Sequence, residues 1–428
     1  MKSNPIIIIS LDGLGRKDFE FLKTLPSFSK LLSTSSYSYK VNSIYPSLTY
    51  PAHVSIVTGK KPANHGVINN ILLQPGVDSP DWFWFKSQVN CDTIYDLAKK
   101  EGYTTGAILW PVTGKAAIDY NMPEIFANRW WLTQPMISLY SGTPSYQLLM
   151  NFKYGYLREG KKQPHLDNFS TECALYLLQK EKVDFLMVHL TDVDTNKHHH
   201  GTENDEVTNA LRRHDVRLGK IIEVLNTHDC YKQSTIVVLG DHSLMDTNKV
   251  IKLNTLFLQE GYIPKDEKGK LQEPKVYLNN CDGSAYIYIK DNDIELKDKV
   301  IKLLKDFSSN NDNCLEEILS GDDLKNLGID NNCALMLEAK AGYYFSNDLN
   351  GETIEEVGEK YDKATHGYSP YKEDYQTFFL ISGENIKKDF DIGEMSLLDE
   401  APTISKIIGT ELPSPDGRVL SSIFNTKK

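Results

Sequence analysis

Short runs of consecutive apolar residues recur along the chain, and each ends in a polar or glycine-containing turn. Five runs have the length and composition of buried strands, at residues 6–10, 105–109, 184–189, 235–239 and 377–381. Between several of them the apolar residues return with a helical period, as in 204–225, where one repeating face is predicted to hold Val207, Leu211, Val216 and Leu218. Continuous apolar strands that alternate with amphipathic helices predict an α/β fold, with a mostly parallel sheet and helices on both faces.

Two parts of the chain depart from this alternation. Residues from about 81 to 162 hold all five tryptophans and are predicted to be an aromatic-rich insertion, in which Trp82, Trp130 and Trp131 are candidates for stacking on a nucleobase or for core packing. Residues 256–345 are predicted to be an inserted α+β subdomain, with an alternating strand at 285–289 and a helix at 296–307. The core then comprises residues 1–255, including the aromatic-rich insertion, and continues over 346–428.

Charge and composition exclude several classes of protein. The net charge of −11 argues against a nucleic-acid polymer as partner, because binding to a phosphate backbone needs clustered Lys and Arg. A small phosphate ester remains compatible if metal ions reverse the local sign. No apolar stretch approaches the roughly 18 residues of a membrane span, and the first apolar run is too short for a signal peptide. The six cysteines are scattered without a CxxC pair, which favours reduced thiols and predicts a cytoplasmic protein.

Candidate metal ligands follow the ends of predicted strands. Asp12 comes just after the first strand, and Asp241 and His242 follow the run at 235–239. Ligands of α/β folds bind beyond the carboxyl ends of the strands, although Asp-Gly is also a common turn sequence. Neighbouring side chains on a strand point to opposite faces, so Asp241 and His242 can share a metal only if the chain turns first. His366 is a lone histidine, for which a structural role is the commoner one.

A threonine stands at the start of a predicted short helix. Pro51 suits the first turn of a helix, and the following residues continue it to a stop at Gly59. Thr49 therefore lies at or beside the N-cap, where threonine commonly caps the first turn. The same position suits a nucleophile, because the helix N-terminus and a metal ion both stabilise an alkoxide. This segment alone leaves the two roles open.

The polar segment 190–201 follows the strand predicted at 184–189. Asp194 and His198 are four residues apart, so in a helical turn they face the same side. A carboxylate and an imidazole together suit zinc or manganese. The alternatives are His200 as the ligand in place of His198, and a solvated polar loop without a metal.

Together the candidates supply three carboxylates and three imidazoles, from Asp12, Asp194, Asp241, His198, His242 and His366. Two divalent metal ions need about this many ligands when a coordination position stays open for substrate. Two such ions and three aspartates leave one positive charge around neutral Thr49, which favours ionisation of its hydroxyl. Ionisation brings the site to neutrality, so a singly charged phosphodiester can approach. The set predicts a two-metal hydrolase of phosphate esters, with zinc as the expected ion and manganese as the alternative.

Taken as a set, these motifs resemble the alkaline phosphatase superfamily, in particular its nucleotide pyrophosphatase/phosphodiesterase family. The resemblance runs from residue 6 to about residue 370. It rests on the order and spacing of seven pieces: Asp12-Gly13, the segment 49–59, the segment 65–70, Trp110-Pro111, Asp194 with His198, Asp241-His242, and His366-Gly367-Tyr368. It implies an alkaline-phosphatase-like three-layer sandwich with a small inserted α+β subdomain.

The resemblance also implies a role for each site residue. One zinc ion would be held by Asp194, His198 and His366, and the other by Asp12, Asp241, His242 and the Thr49 oxygen. Asn70 matches the asparagine that, with a backbone N–H near the nucleophile, binds a non-bridging phosphoryl oxygen. The implied reaction is in-line attack by Thr49 on a small-molecule phosphate ester, either nucleotide-like or a glycerophosphodiester. A phosphothreonine intermediate forms and is then hydrolysed.

The chain departs from the family pattern at two positions. Lys197 and Ser243 stand where the family usually has glycine, before the histidine of Asp-x-x-x-His and after Asp-His. These changes affect the shape of the loops more than the number of ligands. Secreted members carry a signal peptide and disulfides, and the sequence shows the signature of neither, which is a second reason to expect a cytoplasmic protein.

Other functions in the same superfamily stay open. A phosphomonoesterase needs further positive groups, for which Arg16 and Lys115 are the candidates, and a phosphonate hydrolase shares a similar threonine and metal set. A sulfatase is excluded because it needs a Cys/Ser-x-Pro-x-Arg motif. A cofactor-independent phosphoglycerate mutase would use serine and a larger inserted domain. A non-catalytic metal-binding homologue would be expected to lack a ligand or the nucleophile, and all seven residues are present.

Overall fold

A computed structural model describes residues 4–425. Its strands are β1 (Ile6–Leu11), β2 (Ser36–Asn42), β3 (Thr105–Ile108), β4 (Tyr120–Met122), β5 (Phe185–Leu190), β6 (Thr235–Leu239), β7 (Met245–Ile251), β8 (Val276–Cys281), β9 (Ser284–Ile289), β10 (Leu315–Ser320), β11 (Leu335–Ala339), β12 (Gly342–Phe345), β13 (Ile354–Glu356), β14 (Ala364–Thr365), β15 (Thr377–Ser382), β16 (Phe390–Asp391) and β17 (Met395–Ser396).

Its α-helices are α1 (Arg16–Leu22), α2 (Pro26–Leu32), α3 (Thr49–Thr58), α4 (Pro62–His65), α5 (Ile94–Lys100), α6 (Gln134–Ser141), α7 (Pro144–Tyr154), α8 (His165–Tyr176), α9 (Asp192–His200), α10 (Asp205–Thr227), α11 (Leu253–Gln259), α12 (Ile294–Asn310), α13 (Asp322–Leu327) and α14 (Glu400–Ile408). Short 3₁₀ turns and one π-helical turn at Leu177–Glu181 complete the regular structure.

Nine strands form the central sheet. Eight of them follow the order β16-β2-β15-β6-β1-β5-β3-β4, and β17 also pairs with β2. From β6 to β4 all neighbours are parallel, whereas β15 is antiparallel to both β6 and β2. The sheet is therefore mostly parallel, and the carboxyl ends of β6, β1 and β5 lie next to one another at one edge.

The continuous apolar runs form central strands because both faces of the sheet are covered. Along β1, Ile7 and Ile9 join an apolar cluster with side chains of α1, α2, α8 and α10. Ile6 and Ile8 join a separate cluster with side chains of α3, α5 and α14. Alternate strand residues point to opposite faces, so every position of β1 is buried. Full burial of each large aliphatic side chain contributes roughly 1.5–3 kcal/mol, which makes these runs the framework of the fold.

The predicted α/β fold class and its main elements are confirmed. The five predicted strands are β1, β3, β5, β6 and β15, and their ends differ from the predicted ones by at most one residue. The predicted helix at 204–225 is α10, which Asn204 caps by accepting a hydrogen bond from the Glu206 N–H at 2.9 Å. One detail is wrong: Val216 is 60% exposed, because it lies half a turn away from the line through Val207, Leu211 and Leu218.

A second sheet lies in the part of the chain predicted to be an inserted subdomain. Its strands pair antiparallel in the order β10-β11-β9-β8, and α12 packs against them through Val300 and Leu304. The predicted strand at 285–289 and helix at 296–307 are β9 and α12. The same apolar cluster also includes Leu253 and Tyr368, on either side of 256–345. The division of the chain at 1–255, 256–345 and 346–428 stays a prediction.

The segment that carries His366 is held against the turn between β8 and β9. The Gly283 N–H donates to the His366 carbonyl at 2.8 Å, and the Gly367 N–H donates to the Ser47 carbonyl at 3.0 Å. Gly367 has a φ of +81°, and a Cβ there would lie 1.7 Å from the Cys281 carbonyl oxygen. Both observations require glycine at 367. The antiparallel sheet thereby supports a predicted metal ligand.

Two further properties of the described residues bear on the expected class of protein. Among the helices of residues 4–425, none combines the length and the apolar character needed to cross a membrane. All six cysteines lie in the same range, none of them forms a disulfide, and four are buried.

Gly367→Ala is expected to destabilise the protein much more than Gly393→Ala. Gly393 has a similar φ of +79°, but a Cβ there would meet no neighbouring atom. Gly393→Ala therefore measures only the cost of placing alanine in the left-handed backbone conformation, about 1 kcal/mol. The clash with Cys281 should cost Gly367→Ala about 3 kcal/mol more. Urea unfolding of both variants measures the difference. Equal losses would show that the loop after β14 is not tightly held.

Candidate functional site

Polar residues that are far apart in the sequence meet at the carboxyl edge of the central sheet. Asp12 follows β1, Asp241 and His242 follow β6, and Asp194 lies in the first turn of α9 after β5. Because these three parallel strands are neighbours, their carboxyl ends place the four side chains together. β6 ends at Leu239, so Asp241 and His242 are free of the strand alternation that would have separated them.

The first candidate metal group consists of Asp194, His198 and His366. Each offers one ligand atom within 4.8 Å of the other two. α9 brings Asp194 and His198 to the same side, with His198 Nε2 3.3 Å from Asp194 Oδ1. The ring centroids of His198 and His366 are 5.1 Å apart. His200, the alternative ligand, lies at the end of α9 with an exposed side chain and outside this group.

A second group lies directly beside the first. Asp12, Asp194 and His242 also offer ligand atoms within 4.8 Å of one another. Asp241 Oδ2 is 3.2 Å from His242 Nε2, which is 3.5 Å from Asp12 Oδ1. Asp194 belongs to both groups, whereas the family resemblance implies a single metal for it. The two candidate positions are therefore adjacent.

Thr49 faces the second group from the first turn of α3. Its Oγ1 lies 3.1 Å from His242 Nε2. The N-cap of α3 is Leu48, and no side chain caps the helix, so the capping role considered for Thr49 is wrong. His53, one turn further on, has Nδ1 2.8 Å from the Thr49 carbonyl oxygen and Nε2 2.9 Å from Ser10 Oγ. These contacts tie the start of α3 to the end of β1.

The donor atoms of the two groups fit divalent cations. Three carboxylate oxygens of these groups are buried and have no hydrogen-bond partner in residues 4–425: Asp12 Oδ1, Asp194 Oδ1 and Asp241 Oδ2. Leaving a buried polar atom unsatisfied costs about 1–3 kcal/mol, so a cluster of three such oxygens needs a ligand. Carboxylate oxygens and imidazole nitrogens are the donors that zinc and manganese bind.

The electrostatics of the site also call for cations. Burial, together with the nearby Asp194 carboxylate, raises the pKa of Asp12 to about 6. Burial, with Asp12 beside it, raises the pKa of Asp241 well above its usual range. Burial opposes the charge of Asp194 too, but the adjacent His198 holds the pKa of Asp194 below its usual range. Burial lowers the pKa of His242, so its imidazole is neutral. The side chains at this edge carry too little positive charge to balance the buried carboxylates, and divalent ions would supply the remainder.

Asn70 lies beside the start of α3. Its amide oxygen accepts a hydrogen bond from the Tyr50 N–H at 2.9 Å. This contact fixes the orientation of the amide, and within the described part of the chain no residue accepts from its Nδ2. Asn70 Nδ2 is therefore available as a donor next to Thr49.

A histidine and a glutamate that the sequence reasoning missed hold Asp12 in place. His189 Nε2 lies 3.1 Å from Asp12 Oδ2, and His189 Nδ1 lies 2.9 Å from Glu124 Oε2. Burial opposes the charge of His189, but the two carboxylates hold the pKa of His189 well above its usual range. Glu124 also accepts from the Tyr50 hydroxyl at 3.4 Å. The available signal was a histidine inside an otherwise apolar strand.

Two further carboxylates stand behind candidate ligands and were also missed. Asp362 Oδ2 is 3.5 Å from His198 Nδ1, and Asp282 Oδ2 is 3.4 Å from His366 Nδ1. Burial raises the pKa of Asp282 to about 7. Carboxylates behind ligating imidazoles typically orient the ring and increase its basicity. Nothing in the local sequence around either aspartate signals this role.

The two departures from the family pattern contact the same loop, between β1 and α1. Buried Lys197 donates to the Gly13 carbonyl at 2.9 Å and pairs with Asp18 at 2.5 Å. Asp18 also accepts from the Gly15 N–H at 2.8 Å. Ser243 packs on the other side of this loop, where a Cβ on Gly15 would come within 2.1 Å of its Oγ. Lys197 therefore ties α9, which carries Asp194 and His198, to the loop after Asp12.

A row of contacting aromatic rings extends from Tyr50, the residue after Thr49. The ring of Tyr50 meets that of Trp82 with centroids 5.0 Å apart, and Trp82 meets Phe126 at the same distance. Trp130 and Trp131 differ from these, because they are 92% and 57% exposed and contact each other at 5.5 Å. Core packing is therefore wrong for Trp130 and Trp131.

A family model described as type I phosphodiesterase / nucleotide pyrophosphatase matches residues 6–369. Human ectonucleotide pyrophosphatase/phosphodiesterase family member 1 is 24% identical over 257 residues, which cover 56% of this chain and 23% of that protein. Venom phosphodiesterase 2 of Crotalus adamanteus is 23% identical over 255 residues, which cover 57% of this chain and 27% of that protein. The chain thus spans about a quarter of the length of these curated relatives.

Solved structures share the fold at lower identity. Murine ectonucleotide pyrophosphatase / phosphodiesterase 5 superposes with a TM-score of 0.65 at 16% identity, over 97% of both chains. An inactive threonine-to-alanine variant of that murine protein, in complex with AMP, gives a TM-score of 0.67 at 16% identity, over 99% of this chain and 100% of the other. This likeness confirms the alkaline-phosphatase-like fold.

His198→Ala is expected to lose one bound metal ion, whereas His200→Ala keeps both. The two histidines lie on the same short helix, but only His198 points into the first group. Metal-to-protein ratios after loading with zinc and gel filtration, measured by mass spectrometry, distinguish the variants. The opposite pattern would make His200 the ligand.

Proposed function

The chain belongs to the type I phosphodiesterase / nucleotide pyrophosphatase family, and on this basis we propose that it is a metal-dependent hydrolase of phosphoric esters. It cleaves phosphodiester or pyrophosphate bonds in small molecules, with nucleotide-like compounds and glycerophosphodiesters as the candidate substrates. Thr49 is the nucleophile, and the reaction passes through a covalent phosphothreonine.

The observation that best supports this proposal is that candidate ligand atoms from several elements lie around the Thr49 hydroxyl. Three buried carboxylate oxygens without hydrogen bonds, and the imidazoles of the two candidate metal groups, lie at the edge of the sheet where Thr49 Oγ1 approaches His242. A structural threonine would need no such surroundings. A non-catalytic homologue would not be expected to retain the nucleophile together with every ligand.

Bound metal ions would lower the pKa of the Thr49 hydroxyl and stabilise the charge on the leaving oxygen. Zinc is the proposed ion, because three imidazoles and three carboxylates suit it, and manganese is the alternative. One ion would be held by Asp194, His198 and His366, and the other by Asp12, Asp241, His242 and Thr49.

The side chains around Thr49 account for the chemical steps. Thr49 gives up its hydroxyl proton and forms a bond to phosphorus, and the leaving oxygen departs with the bonding pair and takes up a proton. Asn70 Nδ2, held in place through the Tyr50 N–H, donates to a non-bridging phosphoryl oxygen. Water then attacks phosphorus, the bond to Thr49 breaks, and the hydroxyl is restored.

A diester suits this site better than a monoester. A monoester carries an additional negative charge and needs further cations, for which Arg16 and Lys115 were the candidates. Arg16 pairs with Asp374 at 3.5 Å, and Lys115 lies over the ring of Tyr140 at 3.8 Å. Among residues 4–425, neither cation forms a hydrogen bond or an ion pair with Thr49 or with a candidate ligand.

The comparison with a solved structure supports nucleotide-like substrates. The murine protein described as inactive after a threonine-to-alanine change was obtained with AMP. The ring of Trp82, which is partly exposed and packs against Tyr50 next to Thr49, offers a flat surface on which a nucleobase can stack.

Zinc-loaded protein is expected to cleave bis-p-nitrophenyl phosphate, or the p-nitrophenyl ester of thymidine monophosphate, at least about 10-fold faster than p-nitrophenyl phosphate. The reason is the single negative charge of a diester, which the site can neutralise without further cations. Release of p-nitrophenol gives kcat/KM for each substrate. Preference for the monoester would indicate a phosphomonoesterase, and release of phosphate from phosphonoacetate alone would indicate a phosphonate hydrolase.

Thr49→Ala is expected to lower kcat by at least about 10³-fold while two metal ions stay bound. Its stability should change by no more than about 1.5 kcal/mol, because the buried Thr49 side chain does not cap α3 and makes one hydrogen bond, to His242. Thr49→Ser keeps a hydroxyl and should keep measurable activity. Thr58→Ala serves as the matched control, because it removes a hydroxyl from the other end of α3 that donates to the Val54 carbonyl and accepts from the Lys60 N–H. Full activity of Thr49→Ala would exclude it as the nucleophile.

A further inference from the structure

The helix pair α6 and α7 presents apolar side chains that no other part of residues 4–425 covers. Of the thirteen large apolar side chains exposed in this range, eight lie between Trp130 and Tyr156. Scattered exposed apolar residues are normal in folded proteins, but a concentration of them indicates a binding surface. We refer to the outward side of residues 130–162 as the 130–162 surface.

Helix α7 is apolar on two opposite sides. Tyr146 and Met150 face the core and are 3% and 0% exposed. Leu148 and Phe152, four residues apart, face outward with exposures of 57% and 86%, and Tyr156 continues their row at 80%. A helix that is apolar all round is normally buried. The outer row of α7 therefore needs a partner that the described chain does not supply.

The charge of this segment is opposite to that of the rest of the chain. Residues 129–162 contain five basic residues and one acidic residue, although the chain as a whole has a net charge of −11. Arg129 pairs with Asp81, and Lys162 pairs with the one acidic residue, Glu159. The segment is thus a local basic region on an acidic protein.

Three of these cations have no carboxylate partner within the described residues. Lys153, Arg158 and Lys161 are exposed, and each lies over an aromatic ring, with the charged group 4.5 to 5.6 Å from the ring centroid. Their charges are therefore available to an anionic partner, while their apolar stems cover aromatic surface.

We propose that the 130–162 surface docks on an anionic lipid bilayer. Exposed aromatic and aliphatic side chains interleaved with basic ones are the composition of protein surfaces that lie in a membrane interface. Trp130, Phe152 and Tyr156 are 80–92% exposed, so they protrude from the surface and can enter the interfacial region. The neighbouring cations then lie among the lipid headgroups.

A second copy of the chain is a poorer occupant of the same surface. In a symmetric dimer this surface would pack against itself and bring two basic segments together. The repulsion would oppose the apolar contact. An anionic bilayer instead satisfies both the apolar and the basic side chains.

Docking would bring the candidate active site close to the bilayer. Lys161 lies over Phe126 at 4.5 Å, and Phe126 contacts Trp82, which contacts Tyr50 next to Thr49. Docking itself needs no catalysis, so an experiment on docking tests this proposal separately from the proposed hydrolase activity.

The experiment is flotation of the purified protein with vesicles of phosphatidylcholine that contain about one quarter phosphatidylserine. The protein is expected to bind these vesicles at least about 10-fold more tightly than pure phosphatidylcholine vesicles, and more weakly as salt increases. The triple variant Leu148→Ser, Phe152→Ser, Tyr156→Ser should bind at least about 30-fold more weakly. The double variant Lys153→Glu, Arg158→Glu should bind at least about 20-fold more weakly.

Matched controls change the same kinds of side chain elsewhere. Ile294→Ser with Tyr371→Ser removes apolar groups that are 74% and 72% exposed, and Lys299→Glu with Lys302→Glu reverses two exposed charges on α12. These variants should bind like the wild type, and so should Thr49→Ala. Unchanged hydrolysis of bis-p-nitrophenyl phosphate, or an unchanged thermal unfolding curve if the protein proves inactive, shows that the surface variants are folded.

Three results would overturn the proposal. The first is no binding of the wild-type protein to either kind of vesicle. The second is an equal loss of binding in the control variants, which would indicate non-specific adsorption. The third is a dimer in sedimentation experiments that the triple variant dissociates, without vesicle binding, which would make a second copy the occupant.

Discussion

The burial of several carboxylates at one edge of the central sheet is the constraint on which the site depends. Asp12, Asp194 and Asp241 lie together there, and an isolated buried carboxylate is too costly to remain charged without a partner. His189 pairs with Asp12 at 3.1 Å, and this contact holds the pKa of His189 well above its usual range. Because one oxygen of each of the three aspartates remains without a hydrogen bond, divalent cations would complete the charge balance of the site.

This constraint explains why elements far from one another in the sequence are tied so closely together. Three parallel strands place four of the candidate ligands at their carboxyl ends, but His366 comes from a segment that rests on the turn between β8 and β9. Lys197 links α9 to the loop after β1 and so relates one candidate metal position to the other. When the ligands of a metal site come from separate elements, their geometry depends on the contacts that hold these elements together. Residues that contact no metal therefore determine how well the ligands are positioned.

Local pattern sufficed to predict the fold class, the five core strands, α10 and the residues at the strand ends. It sufficed because apolar runs and helical periods are properties of consecutive residues, and because parallel strands place their carboxyl ends together. It could not decide the role of Thr49, since the contact with His242 joins residues 193 positions apart. His189 and Glu124 were missed for the same reason. His366 was placed in the site by resemblance to the family and not by its own surroundings, because the sheet that supports it lies outside the parallel core.

The aromatic-rich segment shows a second limit of prediction from local sequence pattern. Its tryptophans were expected either to pack in a core or to stack on a nucleobase, but the outer row of α7 formed no part of that expectation, and apolar residues occupy both sides of this helix. The sequence does contain a relevant signal, which is the excess of basic residues over 129–162 in an acidic chain. Periodicity identifies which residues share a face, but charge indicates whether that face meets the protein interior or an external partner. Here the two signals have to be combined, since an apolar row among unpaired cations is unsuited to a protein core and well suited to an anionic interface.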